Sequence, residues 1–571
     1  MLPSTFLTRY RRDSRSSVQR LALCVVNTGS ILLLSESPFP GNPLSTLGKS
    51  IQPLRCTSPQ ASLADMLESN GSRRDPSQRG SSTCTKYPMD SAHVGFLLAA
   101  GLVSFLALRA RKKPPYPPGP PSDPLIGHLR ILPFENREVI FHAWAKEYGD
   151  IMHLHALGFH LVVLDSREAA IDLLEKRGAI YSDRPYLRTF ELLGHDDITL
   201  MPYGASFRDH RKFVHSAMTK EAIVTYQAAQ TTNARLLVSN LCENKNQHEM
   251  LINRWATSIV TSIVYGQHST AEVDEYMKLM EDHNEIILGM PQPGGSILEL
   301  FPFLEHLPAW FPGTGDAYKA RQWRPSFRRI YDYPYEQAEK NMAPTDDSIL
   351  SRAWPTGALF RASVETTWST VVVMLASMIL NPECQKRGQE EISRVIGSER
   401  LPEFEDMDAL PYTTAIVHEV MRWHPVVPLA LPHRSVQDDV YRGMFIPKGA
   451  IVLPNVTGMS LDEKVYKNPT LFNPSRFLPQ LDGQGEPRFD AAFGFGRRIC
   501  PGRHFAFSSV WILTATLLAT SNISEGKDAN GVTIPLSREF KSAITSRPKE
   551  FACEITARSS ASESLLSAHS A

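Results

Sequence analysis

One ten-residue stretch, Phe493 to Gly502 (FGFGRRICPG), constrains this chain more than any other feature. Gly494 and Gly496 loosen the loop, so that its backbone can come close to a flat ligand. Cys500 stands at the end of the loop, and Pro501 fits the first turn of a following helix. The positive end of such a helix and its free amides stabilise negative charge on sulfur. The pattern therefore predicts that Cys500 binds a metal as its thiolate.

The stretch resembles the haem-binding signature of the cytochrome P-450 family. The positions that match are Phe493, Gly494, Gly496, Arg498, Cys500 and Gly502. The resemblance implies a haem b (iron protoporphyrin IX) whose iron is bound by the Cys500 thiolate, with Phe493 among the cofactor-binding residues. The alternative, which holds for most lone cysteines after a glycine-rich turn, is a buried structural thiol.

Two upstream motifs fit the same family. Glu419 to Arg422 (EVMR) resembles its Glu-x-x-Arg helix, and Asn473 to Phe477 (NPSRF) resembles its Pro-x-Arg-Phe segment. The spacing i, i+3 puts Glu419 and Arg422 on one helix face. The resemblance implies a buried ion-pair network of Glu419, Arg422 and Arg476 behind the haem. Loss of any one partner would leave a buried charge unpaired, at a cost of roughly 3–5 kcal/mol.

The two haem propionates need cationic partners, and the resemblance implies three. Arg498 precedes the cysteine by two positions, and His433 lies in a Pro-His-Arg segment similar to a strand that supplies a second donor. Arg211 lies in Tyr203 to Lys212, which resembles the helix that supplies a third. The family usually has tryptophan where Phe207 stands, so an indole donor is lost here. For His433 the alternative is a satisfied histidine at a strand edge.

A further motif concerns oxygen chemistry. Arg361 to Thr367 (RASVETT) leads into Trp368 to Leu380, an apolar run long enough for a buried helix. It resembles the family's long central helix, in which an acid and a hydroxyl relay protons to dioxygen; the matching catalytic residues are Glu365 and Thr366. Ser363 replaces the usual glycine, although its hydroxyl could bend the helix by bonding to a carbonyl. The alternative is a pair of threonines on an ordinary core helix.

Composition narrows the class of protein. The chain of 571 residues has 60 basic and 60 acidic side chains, so no global field predicts a nucleic-acid partner. Its 7 cysteines include no C-x-x-C pair, which argues against a zinc site or a disulfide framework and suits a reducing compartment. No dinucleotide or Walker-type motif is present, so electrons are expected from a partner.

The amino end divides into three segments. Residues 1–88 have no counterpart in the resemblance; their arginines are typical of a mitochondrial leader, and a gene start extended upstream of Met89 is the other interpretation. Residues 89–113 hold the charge-free run Ala92 to Leu108, which predicts a transmembrane anchor followed by cytosolic basic residues. A buried core helix is the alternative for that run. Residues 114–121 predict a stiff Pro-rich hinge.

The resemblance implies a cytochrome P-450 fold, mainly α with a small β region, over a haem-thiolate catalytic domain at residues 122–558. Helices are predicted at Val139 to Tyr148 and Glu168 to Arg177, and a hairpin at Ile151 to Leu157 and His160 to Leu164. Ser559 to Ala571 is small and polar, and predicts a disordered tail.

The implied function is a monooxygenase that inserts one oxygen atom from O2 into a lipophilic small molecule. The motif order is most similar to fungal members acting on terpenoids, polyketides or other secondary metabolites. By analogy, five largely apolar segments line the pocket: the loop before Tyr203, Ile287 to Ile297, Ala362 to Glu365, Val426 to Leu431 and Ala543 to Thr545. The alternatives are a haem-thiolate isomerase or dehydratase, and a non-catalytic haem-binding relic, which the short segment Ser348 to Pro355 would suit.

The expected electron donor is an NADPH-cytochrome P-450 reductase, with cytochrome b5 as a second donor. The cations left for such an acidic partner are Arg208, Lys212, Arg497 and Arg503. We expect a single-pass protein of the endoplasmic reticulum membrane with a cytosolic catalytic domain; a mitochondrial location is the alternative. The alternative for these four cations is that they are solvated surface charges without a partner.

Overall fold

Most of the described chain is helical. The computed structural model describes residues 99–104, 114–133, 135–194, 198–265, 270–290, 296–341, 356–541 and 544–568, all within the unit Ser91–Ala571. The helices are α1 Arg137–Tyr148, α2 Arg167–Ala170, α3 Gly178–Tyr181, α4 Arg188–Leu193, α5 Ala205–Ala217, α6 Lys220–Val224, α7 Gln227–Glu243, α8 His248–Tyr265, α9 Thr270–Gly289, α10 Ile297–Leu300, α11 Gly315–Asn341, α12 Thr356–Leu380, α13 Pro382–Val395, α14 Pro411–Trp423, α15 Val456–Ser460, α16 Arg503–Thr520 and α17 Ser560–Ala568.

In the described residues the strands are short and form one four-stranded sheet and three two-stranded sheets. They are β1 Ile151–Ala156, β2 Phe159–Leu164, β3 His433–Arg434, β4 Asp439–Tyr441, β5 Met444–Ile446, β6 Ile451–Pro454, β7 Ser521–Glu525, β8 Phe540–Lys541, β9 Arg547–Pro548 and β10 Cys553–Ala557. The larger sheet has the order β1-β2-β6-β3, and β2 pairs with β6 in parallel. The predicted hairpin is confirmed as β1 and β2, with Ile151 opposite Leu164.

The helix α12 runs through the core. Its residues from Val371 to Leu375 are almost completely buried, and the helix packs against α8, α14 and α16. A helix that is apolar on every face is stable only when it is surrounded. Within the described part of the chain, Arg361–Leu380 is the one helical stretch long and apolar enough to cross a membrane, and most of it is buried.

The second predicted helix takes a different form. Only Arg167–Ala170 is α-helical, and the π-helical turn Ile171–Lys176 continues it. Ser166 caps the start, because its hydroxyl accepts a hydrogen bond from the amide of Ala169 at 3.2 Å. The π-helical turn contains Leu174, whose carbonyl oxygen lies next to Gly496 in the loop before Cys500.

The hinge and the tail are both held against the domain. The carbonyl oxygens of Pro115 and Pro118 accept hydrogen bonds from the amides of Phe445 (2.7 Å) and His153 (3.0 Å). The prediction of a disordered tail is corrected for Ser560–Ala568, which form α17, because Leu566 is 3 % exposed in the main core. The predicted leader 1–88 and the segment Ser348 to Pro355 lie outside the described residues, as does the predicted anchor apart from residues 99–104, which are helical.

Candidate active site

The cysteine loop is built from two short 3₁₀ turns, Asp490–Phe493 and Gly496–Arg498, that precede α16. The amide of Cys500 donates to the carbonyl oxygen of Phe493 at 2.8 Å, which closes the loop. Gly496 has φ +54°, and a β carbon built on it would lie 2.2 Å from the carbonyl oxygen of Leu174. This glycine is therefore required by the neighbouring backbone.

The thiol of Cys500 is surrounded by groups that favour its anion. Burial raises its pKa, while the amide of Gly502 and the guanidiniums of Arg211 and Arg503 act in the opposite direction. Arg211 donates to the carbonyl oxygen of Ile499 beside it. Of the four described free cysteines, Cys500 is the one at which a backbone amide opposes the rise in pKa that burial causes; the others are Cys242, Cys384 and Cys553. A metal bound to the sulfur would offset the cost of burial and complete its deprotonation.

Two arginines lie buried together near the loop. Arg498 donates to the carbonyl oxygens of Ser182 (2.9 Å) and Met201 (2.7 Å), and Arg184 donates to that of Pro432 (2.7 Å). Burial and the neighbouring cation lower the pKa of Arg184 to about 9. Burial lowers that of Arg498 to about 10. Buried cations in such a cluster need anions to stabilise them.

His433 faces the same cluster. Its Nδ1 lies 2.8 Å from the carbonyl oxygen of Tyr181, and since a carbonyl only accepts, Nδ1 carries the proton. Burial, with Arg184 and Arg498 nearby, holds the pKa of His433 well below its usual range. Neutral His433 therefore has an acceptor, not a donor, at Nε2. A carboxylate ligand at Nε2 would require a second proton on the ring.

Arg211 lies apart from this cluster, on the side of Cys500. It is still close enough to Arg498 to lower the pKa of that guanidinium. Phe207, at the position where the resemblance implied a tryptophan, lies under the Arg498 guanidinium, whose central carbon is 3.6 Å from the ring centre. The ring thus keeps a cation–π contact but offers no hydrogen bond.

The structure brings together the three residues of the expected ion-pair network. The Glu419 carboxylate accepts from Arg422 NH2 (2.7 Å) and Nε (2.8 Å) and from Arg476 Nε at 3.0 and 3.1 Å, and all three side chains are fully buried. The amide of Asn473 also donates to Glu419 at 2.7 Å. Arg476 pairs in addition with Glu486 at 2.6 Å, a fourth member that the motifs did not indicate.

A largely apolar cavity of about 250 Å³ lies beside α12. All five segments expected from the sequence contribute to its wall. The hairpin β1–β2 and the helix α4 contribute as well, and the sequence analysis did not include them. Representative lining residues are Leu200, Ile287, Ala362, Val427, Ile544, Phe159 and Phe190.

Glu365 and Thr366 both line this cavity. The Thr366 hydroxyl donates to the carbonyl oxygen of Ala362 at 2.7 Å, one turn back along α12. The Glu365 carboxylate accepts from Asn284 Nδ2, Thr545 Oγ1 and Arg547 NH1, each at 3.0 Å. The expected acid and hydroxyl are therefore neighbours on the cavity wall, and the acid is tied to distant segments.

Comparison with known proteins identifies the family of this chain. The family model described as "Cytochrome P450" matches residues 117–320 and 328–549. The chain belongs to the cytochrome P450 family. It is 34 % identical over 479 residues to "Cytochrome P450 monooxygenase 136" of Postia placenta, covering 79 % of this chain and 90 % of that protein. It is 35 % identical over 501 residues to "Cytochrome P450 monooxygenase COX2" of Coprinopsis cinerea, covering 83 % and 95 %. It is also 35 % identical over 478 residues to "Cytochrome P450 monooxygenase claR" of Ampulloclitocybe clavipes, covering 79 % and 88 %.

This P450 is therefore a haem monooxygenase, and its helical architecture with small sheets fits the P450 fold. The family carries haem b, whose iron is bound by a cysteine thiolate. The described residues suit that group. The sulfur of Cys500 has anion-stabilising neighbours, and the buried cluster of Arg184 and Arg498 calls for negative charge of the kind that propionates bring.

Several site residues of this P450 carry no sequence motif. Arg184 is one, and its burial depends on carbonyl groups of Leu431 and Pro432 far along the chain. Asn284 and Arg547 lie just outside the segments expected to line the pocket, and their contacts with Glu365 arise only on folding. The basic side chain of Arg184 was its one sequence signal for binding an anion. The sequence does not show which of its arginines are buried.

Proposed function

We propose that this P450 oxygenates a lipophilic small molecule of fungal secondary metabolism, such as a terpenoid or a polyketide. The observation that carries the proposal is the apolar cavity, which has Glu365 and Thr366 on its wall. Apolar walls with a few polar groups favour lipophilic ligands and orient them through those groups. The fungal origin of the similar monooxygenases supports the class of metabolite.

Haem would be held from two sides. Cys500 would bind the iron as a thiolate, with Phe493 in the adjoining loop. Arg498 and Arg184 would neutralise propionates, Arg211 would add a third cation, and His433 would join them after taking up a proton. When bound, the haem supplies the iron at which dioxygen is activated by electrons from a partner protein. Glu419, Arg422 and Arg476 would stiffen the region behind it.

Glu365 and Thr366 would handle the protons that the reaction consumes. The Thr366 hydroxyl has one proton, which it now donates to the carbonyl oxygen of Ala362. To donate into the cavity it must turn away from that carbonyl, and the same hydrogen bond returns it afterwards. The Glu365 carboxylate accepts hydrogen bonds from Asn284 and Thr545 in its present position, and it would take up a proton from water when one of these donors turns away.

The electron donor would be a membrane-bound NADPH-cytochrome P450 reductase, with cytochrome b5 as a second donor. Four cations lie on two segments: Arg208 and Lys212 on α5, and Arg497 and Arg503 on either side of Cys500 in the chain. The first three are exposed and Arg503 is half-buried. A groove lined by Lys220, Arg488, Arg503 and other residues lies on the side of the cysteine loop. Cations steer an acidic partner more than they add affinity.

The protein would be anchored in the endoplasmic reticulum membrane by Ala92 to Leu108, with the catalytic domain in the cytosol. The docked hinge supports this, since Pro115 and Pro118 hold the chain against the sheet just after the basic residues. A mitochondrial location is the alternative. Fractionation of cells that express the full chain distinguishes the two, because an anchored protein stays with microsomes after carbonate washing.

The function is tested by spectrum and turnover. The purified, haem-loaded chain is expected to show the carbon monoxide difference spectrum of a thiolate-bound haem, and Cys500→Ser should abolish it. Cys553→Ser is the matched control, because Cys553 is buried in the core away from the loop. Product formation from lipophilic candidates should require NADPH, reductase and dioxygen together. Conversion without dioxygen would instead identify an isomerase or dehydratase.

A further inference from the structure

The Glu365 carboxylate is clamped by three donors from two other parts of the chain. Oε1 accepts from Thr545 Oγ1 and Arg547 NH1, and Oε2 accepts from Asn284 Nδ2, each at 3.0 Å. Asn284 belongs to α9, Arg547 begins β9, and Glu365 itself lies on α12. The carboxylate therefore joins three walls of the cavity at one point.

The cationic member of this clamp is fixed by a second contact on the same helix. The guanidinium carbon of Arg547 lies 3.7 Å from the ring centre of Trp368, and Trp368 follows Glu365 by three residues on α12. Residues three apart share a helix face. The guanidinium is thus held between a carboxylate and an indole face of one helix, while β9 pairs with β8 through Lys541 and Arg547.

The pair is shielded from solvent. The side chains of Arg547 and Glu365 are 18 % and 16 % exposed, so their attraction is screened less than that of a surface pair. Three hydrogen bonds to one carboxylate fix its orientation, because turning it would break all three.

We infer that Arg547 is a positioning residue for proton handling: it holds the Glu365 carboxylate in place and turned toward Asn284 and Thr545, next to Thr366 on the cavity wall. The inference rests on the proposed monooxygenase function for its catalytic consequence, but not for the clamp itself. The clamp also ties α9 and the β9 segment to α12, so loosening it should free both. Trp368 acts one step further out, by holding Arg547.

The clamp is tested first without turnover. We compare Arg547→Gln with Lys549→Gln in the haem-loaded chain by amide hydrogen exchange; Lys549 is the matched control, since it is a nearby cation in an exposed pair with Glu539. Arg547→Gln should raise exchange several-fold in peptides around Asn284 and around residues 544–548, and Lys549→Gln should not. Equal exchange in both variants would overturn the clamp.

The positioning role is tested by product formed per NADPH consumed, measured for wild type on lauric acid and 7-ethoxycoumarin and then for each variant on the better probe. Arg547→Gln and Glu365→Gln should each lower this ratio by about three- to tenfold, and the double variant should fall no further, because residues acting as one unit are not additive. Arg547→Lys should recover part of the loss, and Trp368→Phe should lose less than Trp368→Leu.

The outcomes separate the two proposals. Independent, additive losses, or an unchanged ratio alongside faster exchange, would overturn the positioning role and leave Arg547 as a structural tie only. Haem content and melting temperature identify variants that fail to fold, and Arg547→Lys then serves as the milder variant. If wild type oxidised neither probe, the proposed function would be in doubt, while the exchange experiment would still decide the clamp.

Discussion

Gly496 in the cysteine loop lies against the carbonyl oxygen of Leu174, so close that a β carbon on the glycine would be 2.2 Å from that oxygen. The contact joins the loop that carries Cys500 to the π-helical turn before α3. Gly496→Ala should therefore displace the loop, both through this clash and through the positive φ of +54°. We expect loss of the carbon monoxide spectrum and of most bound haem.

Gly502→Ala is the control for this prediction. It lies in the same loop but has open space where a β carbon would point, and its amide next to Cys500 is kept. Haem content is measured by the pyridine haemochrome assay. Equal haem content in the two variants would show that the contact with Leu174 does not hold the loop.

Thr366→Ala should separate electron consumption from product formation. The variant removes the hydroxyl on the cavity wall that donates to Ala362, so we expect normal haem content with a product yield per NADPH reduced by roughly tenfold and more hydrogen peroxide. Thr370→Ala is the control, since Thr370 makes the same bond one turn on, to the carbonyl of Thr366 at 2.7 Å. If both variants lose yield equally, helix bending rather than proton transfer is the cause.

Glu419→Gln should destabilise the fold strongly. Arg422 and Arg476 would lose the anion between them while staying fully buried, at a cost of roughly 3–5 kcal/mol of unfolding free energy. Denaturant unfolding followed by circular dichroism measures it. Asp406→Asn, which removes the anion of a more exposed pair with Arg400, should cost roughly 1 kcal/mol or less. Similar costs for the two variants would contradict the buried network.

Acid should destabilise the protein through His424. Burial lowers its pKa to about 3, so the unfolded chain binds a proton below about pH 6.5 while the folded chain does not. The contribution of the neutral His424 ring to the free energy of unfolding is therefore fully present above pH 6.5 and is lost as the pH falls. At pH 5 the free energy of unfolding is lower by about 2 kcal/mol.

His424→Gln should flatten the dependence of melting temperature on pH between 7.5 and 5, even though it lowers stability at neutral pH by removing the stack on Phe540. The exposed His306 provides the control, His306→Gln, whose pH profile should match wild type. A slope that His424→Gln leaves unchanged would assign the acid sensitivity to other buried histidines.

Reversal of two cations should slow reduction by the reductase. Lys212→Glu with Arg503→Glu places negative charge on the side of the cysteine loop, and charges steer encounter within a Debye length of about 8–10 Å. The rate of the first electron transfer at low salt should fall about tenfold, and added salt should narrow the difference. If neither the charge reversal nor added salt changed the reduction rate, these cations would be solvated surface charges that bind no partner. Arg130→Glu, in an exposed pair with Asp123, is the control.

The local motifs of the sequence determined a large part of the site. A glycine-loosened turn before a helix, an i, i+3 pair and an apolar run long enough for a buried helix each have a short-range physical cause. They predicted the cysteine loop, the Glu419–Arg422 pair and the helix α12. The hairpin β1–β2 was predictable for the same reason, because its two strands and the turn between them are adjacent in the chain.

Tertiary structure alone decided which distant groups meet. Arg184 is buried by carbonyl groups near Leu431, and Arg547 contacts Glu365 although it lies 182 residues further along the chain. Ser560–Ala568 are helical because Leu566 is buried in the core. No local pattern carries these contacts, since burial and pairing across the chain depend on where the packed helices leave room, and that is set by the whole fold rather than by any one segment.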